Sequence, residues 1–154
     1  MKLGNLSLRR FLIIMANSMK TLEQPPSFND LIAAAEAGDW VRVNVHLAEA
    51  VARDSAAIEW ATNVGLDSPV ENLRDLASSV FGETQGPLAP EVARKLALLM
   101  NEDAGRYVQF RAACALWIHG DGSPAVRAKL EEFVEDEDPE VSGIAKEHLS
   151  PEQS

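Results

Sequence analysis

The chain has 154 residues, of which 46% are hydrophobic and only 6% aromatic, which is enough apolar mass for one domain with a core and excludes a disordered protein. The formal charge is −10, yet all 24 acids fall after residue 20, so residues 21–154 set ten bases against them, net −14. A body that negative repels phosphate, which excludes nucleic acid as the main partner.

Residues 1–26 read as a flexible basic leader. Lys2, Arg9, Arg10 and Lys20 precede any acid. The apolar run FLIIMA (11–16) is shorter than the ~7–15 residues of a signal h-region and far short of the ~20 that span a membrane. A cytoplasmic protein without a membrane partner is therefore expected. If the leader lies outside the fold, its removal leaves the melting temperature unchanged; a large loss would mean that FLII docks on the first hairpin.

Pro25-Pro26 stiffens a linker, and Ser27 or Asn29 caps a helix over DLIAAAEAG (30–38), ended by Gly38. Asp39 caps the next, WVRVNVHLAEAVA (40–52). Two periods compete there: Val41, Val43, Val45 and Leu47 alternate as in a strand, whereas Trp40, Val43, Leu47 and Val51 recur at helical spacing. The helical pattern runs longer, and a lone strand would have no partner, so a helix is expected. DSAAIEWATNVG (54–65) is capped by Asp54 or Ser55 and stopped by Gly65. In SPVENLRDLASSVFG (68–82), Ser68 caps, Pro69 takes the first helical position, Glu71 closes a capping box, and Val70, Leu73, Leu76, Ala77 and Val80 form the inward stripe. APEVARKLALLMNED (89–103) turns Val92, Leu96, Leu99 and Met100 inward, and RYVQFRAACALWIHG (106–120) ends at Gly120. DGSPAVRAKLEEFVEDE (121–137) and DPEVSGIAKEHL (138–149) start at Ser123-Pro124 and Asp138-Pro139, and residues 151–154 read as a disordered tail. Short helices joined by short turns make residues 27–150 one all-α domain.

Three helix starts recur: DSPVENLRDLASSV, GRYVQFRAACALW and DPEVSGIAKEHL. Anchored on Val70, Val108 and Val141, they are 38 and 33 residues apart with one further helix in each interval, which is helix-turn-helix repetition at a solenoid period. In DPEV with Ala145 and Leu149, and in Val108, Ala112, Ala113, Ala115, Leu116, Gly120 and Asp121, the chain resembles the bacterial HEAT-like repeats first described in phycobilisome lyase subunits. Gln109 and Ser142 stand where that family carries an Arg after the Val, the Arg of an Asp–Arg ladder between repeats, and Trp117 stands where it carries a Gly. The resemblance implies a short right-handed α-solenoid (HEAT/armadillo-like superhelix) of about four antiparallel helix hairpins, whose second helices line a concave face. It implies a non-catalytic protein–protein interaction scaffold or adaptor, with an accessory subunit of a lyase-type enzyme complex as the alternative.

Candidate chemistry is sparse. Cys114, the one cysteine, excludes a disulfide framework and reads as a buried core thiol. His119-Gly120-Asp121 reads as a stabilised turn, because His46 and His148 supply no ligand at zincin spacing. No Gly-rich phosphate loop, nucleophile elbow or CxxC occurs, so no catalytic residue, cofactor or metal is expected. The acids of 131–140 lack EF-hand spacing and form either a solvated face or a docking surface for a basic protein. Within them Glu135 and Asp136, placed at a helix C-terminus, oppose its dipole. Trp40, Trp60 and Trp117 read as core residues unless exposed, where they become binding anchors. The candidate partner-binding residues are Trp60, Arg94, Arg127, Glu131, Glu132 and Glu135, for a protein partner and a monomeric or weakly self-associating chain. Leu96, Leu116, Phe133 and Leu149 are expected to be buried between repeats.

Overall fold

The computed structural model describes residues 24–151, so residues 1–23 and 152–154, most of the expected leader and tail, lie outside the described residues. Among the described residues the regular elements are eight α-helices and one π-helical turn. They are α1 (Phe28–Glu36), α2 (Trp40–Arg53), α3 (Ala56–Trp60, running into the π-turn Ala61–Gly65), α4 (Glu71–Gly82), α5 (Pro90–Glu102), α6 (Arg106–Ile118), α7 (Pro124–Glu132) and α8 (Pro139–Leu149).

Ser27, rather than Asn29, caps α1. The Asp30 amide donates to Ser27 Oγ at 3.2 Å and the Ser27 amide donates to the Asp30 carboxylate at 2.9 Å, a complete capping box. That backbone N–H first, and the Ser27 side chain second, hold the Asp30 carboxyl below its ordinary range. Gly38, at φ +78°, makes the turn into α2, a conformation that a side chain would strain. On α2 the strand-like alternation resolves into helix faces, with Val43, Leu47, Ala50 and Val51 turned inward.

The expected single helix over 54–65 divides. Asp54 accepts the Ala56 amide at 3.0 Å, and α3 widens after Trp60 into the π-turn. The wider turn seats Gly65 against α4, where a Cβ would lie 2.6 Å from the Ala77 Cβ and 2.7 Å from the Trp60 ring. Only glycine fits that approach.

α4 begins later than its Ser-Pro signal indicates. Glu71 is the first helical residue, Val70 is the extended N-cap, and Ser68 Oγ accepts the Val70 amide at 3.1 Å in the turn outside the helix. Arg74 Nη1 donates to the Ser68 carbonyl at 3.0 Å and holds that turn open. Val70 is consequently 42% exposed and not part of the inward stripe.

Leu73 takes its place, and this resets the repeat. Leu73, Val108 and Val141 are each the third residue of a helix, each buried, at spacings of 35 and 33 residues. Five residues before each stands Ser68, Asp103 or Asp136, whose side chain accepts the N-cap amide at 3.1, 2.8 and 2.9 Å in turn. Four residues after each stands Ala77, Ala112 or Ala145, all fully buried. Alanine at that position lets neighbouring backbones approach closely.

α7 ends at Glu132, short of the Asp136 end expected, and Phe133 just after it turns inward to meet Phe110 at a ring-centroid distance of 4.9 Å. Glu135 and Asp136 therefore lie in the turn between α7 and α8 and not in a helix, with Asp136 accepting the Asp138 amide at the start of α8. α6 lies at the centre, packed by α4, α5 and α7, while α1 packs on α2 and α4, and α8 on α7. α5 rests chiefly on the helix that follows it, α6, and not on α4. Leu96, Leu116 and Phe133 are buried as expected, and Leu149 is half-buried at the core margin.

Candidate protein-interaction surface

Polar ties between helices set what is left exposed. Arg74 of α4 forks onto Asp103, Nε donating at 2.6 Å and Nη2 at 3.1 Å. The Asp103 side chain is only 4% exposed and also accepts the Gly105 amide at 2.8 Å. The hydrogen bond to Asp103, outweighing desolvation, raises the Arg74 guanidinium above its usual pKa. Gln109 Nε2 donates to the Asp103 carbonyl at 2.5 Å, and Lys129 of α7 donates to Gln109 Oε1 at 3.1 Å. One helix pair on, Arg106 pairs with the buried carboxylate of Asp136. Lys95 of α5 binds Asp67 at 2.5 Å and the Thr62 carbonyl at 3.3 Å, fastening α5 to the π-turn.

The acidic run 131–140 splits into two sets. Asp136 is buried in its turn, Asp138 caps α8 by accepting the Glu140 amide at 2.9 Å, and Glu140 is half-buried. Glu131, Glu132, Glu135 and Glu137 stay exposed. Glu132 takes one bond from Lys129 at 3.2 Å. Arg127, exposed on α7, lays its guanidinium 5.3 Å from the centre of the half-buried Trp117 ring, a cation–π contact that keeps the charge at the surface. The structure thus gathers Arg127, Glu131, Glu132 and Glu135 on α7 and the turn after it.

The other two candidates stand on other elements. Arg94 is exposed on α5, one turn before Leu98, which is 50% exposed. Trp60 is half-buried at the end of α3, edge-on to Phe28 at 5.4 Å and against Gly65. Sequence reasoning missed Leu98 and Glu137 as surface residues. Leu98 could have been found, since it falls off the Val92–Leu96–Met100 stripe.

His119 ends α6 and clamps the loop between α4 and α5. Its Nδ1 lies 2.5 Å from the Gly86 carbonyl oxygen, and its Nε2 lies 2.9 Å from both the Phe81 carbonyl oxygen and Thr84 Oγ1. We expect His119→Ala to cost about 1–2 kcal/mol by removing the bonds that tie this loop to α6, with faster amide exchange confined to residues 84–88. Uniform exchange across the domain would place the effect elsewhere. Cys114 is buried on α6.

Among the described residues no group of three His, Cys, Asp or Glu side chains is placed to hold a metal ion, and no helix is long and apolar enough to cross a membrane. The chain matches no family model, no curated protein and no solved structure.

Proposed function

We propose that this chain is a non-catalytic protein-interaction scaffold, a short right-handed α-solenoid of HEAT-like repeats that docks a basic protein partner. The Leu73–Val108–Val141 register supports the repeat reading. In it Arg74 occupies the position directly after the anchor, where the HEAT-like family carries its ladder Arg, and Arg74 does reach Asp103 at the start of the next unit. Gln109 and Ser142 fill the same position in the later units and bond backbone carbonyls of Asp103 and Val134.

The partner reading rests on one observation: after Asp136, Asp138 and Glu140 are absorbed by the fold, four glutamates remain exposed on and just beyond α7. Capping and turn formation account for none of them. A surface of that sign attracts a basic partner through a rate of association that falls with salt. A lyase-type accessory role would need a thiol or another chromophore-handling residue, and the one thiol, Cys114, is buried.

The test replaces Glu131, Glu132 and Glu135 by Gln in the full chain, with the partner captured from the native host by the unaltered protein. Affinity at low salt is expected to fall about tenfold, mainly in the association rate. Loss of the exposed Lys129–Glu132 pair should shift the melting temperature by no more than about 2 °C. Unchanged affinity at low salt would assign the patch to solubility alone and overturn the reading.

A further inference from the structure

The two bases of α7 are both drawn toward α6. Arg127 and Lys129 each stand where a helix lets a base neutralise a glutamate of its own surface, Glu131 at i+4 and Glu132 at i+3. Lys129 does so only in part. Its side chain is largely covered, and its ammonium divides itself between Glu132 at 3.2 Å and Gln109 Oε1 of α6 at 3.1 Å. Arg127 does not do so at all. Its guanidinium lies over the Trp117 ring of α6, and among the described residues no ion pair joins it to the exposed Glu131.

Two physical reasons put the cation on the ring. A base that precedes its acid by four residues is the weaker order of such a pair, and an exposed pair gains little in water. Trp117 is half-buried against the core, so packing already fixes its ring, and indole offers the strongest cation–π face among the aromatic side chains. The consequence is electrostatic. Paired with Arg127, the Glu131 carboxylate would meet a partner already compensated. With Arg127 held on the ring, it stays open.

We infer that Trp117 is a positioning residue of the α7 docking surface: it holds Arg127 off Glu131 and so leaves that carboxylate to a lysine or arginine of the partner. The inference rests on the reading of α7 as the surface for a basic partner, and it adds a residue of α6 that acts through Arg127 and not by contact. Trp117→Leu then lets Arg127 swing to Glu131. The net charge is unchanged, so a basic probe arrives at the same rate. It must displace Arg127 to pair with Glu131, and it leaves sooner.

Stopped-flow binding of an oligolysine peptide to the full chain at low salt tests this. Trp117→Leu should speed dissociation about twofold, the share of one charge in the tenfold expected for three glutamates, with the association rate unchanged. In an Arg127→Gln background the same Trp117→Leu should change neither rate, because no cation is left to swing. Equal losses in both backgrounds would show that Trp117 touches the peptide or supports the fold by itself, and would overturn the inference. Unchanged dissociation after Trp117→Leu alone would do so too. Trp117→Phe keeps a weaker ring, should fall between Trp117→Leu and the unaltered chain, and serves if Trp117→Leu fails to fold. In the unaltered chain the Arg127 side-chain protons should carry the upfield ring-current shift of a group above an indole; unshifted protons would contradict the contact. The Glu131→Gln, Glu132→Gln, Glu135→Gln variant separates the two readings. If it binds the peptide as the unaltered chain does, the docking surface falls and the role of Trp117 with it. If it binds more weakly while Trp117→Leu does not, only the role of Trp117 falls.

Discussion

Asp103→Ala is expected to cost about 3–5 kcal/mol, the loss found when one partner of a buried ion pair is removed. Asp103 accepts three hydrogen bonds at once, two from the Arg74 fork and one from the Gly105 amide. Its removal strands a guanidinium that is itself largely covered, and frees the turn that starts α6. A domain of this size should lose about 10–20 °C in melting temperature. The pair Arg74→Met with Asp103→Leu separates two causes, because it removes both charges and keeps their volume. Stability should return in large part, yet not fully, since the Gly105 amide still lacks its acceptor. An Asp103→Ala midpoint within about 0.5 kcal/mol of the unaltered chain would show that water satisfies these groups and that the tie holds nothing.

Leu116→Ala should cost about 2–5 kcal/mol. Leu116 is buried near the end of α6, the helix on which α4, α5 and α7 all pack. A buried site in the central helix closes only by moving packed neighbours, so the cavity persists and the cost lies above transfer alone. Leu98→Ala is the control: the same atoms are removed from a half-exposed site on α5, and the change should stay within about 0.5 kcal/mol. Urea denaturation with an unchanged slope and a lower midpoint for Leu116→Ala alone is the expected pattern. Equal effects of the two substitutions would contradict the assigned faces.

The sequence by itself determined the all-α class and the eight helices, because helix-period stripes are local signals whose existence tertiary context did not override, although it moved several of their ends. It also carried the repetition, though in a shifted register. SPV resembles DPEV closely enough that the sequence pattern points to Val70 as the anchor, whereas Leu73 holds that place. What decided between them was the Arg74 side chain reaching back to the Ser68 carbonyl and across to Asp103, contacts made between residues 6 and 29 positions apart. The acidic run at 131–140 was legible as a boundary between helices, yet its division into buried and exposed carboxylates was not. Asp136 and Glu135 are adjacent acids, and it is the Asp138 amide together with Arg106, thirty residues earlier, that holds the Asp136 carboxylate in its turn. On α2 the longer helical stripe through Val43, Leu47 and Val51 already marked the inward side; that Val45 is half-buried while Val41 lies open was decided by where the neighbouring helices pack, which a local period does not record.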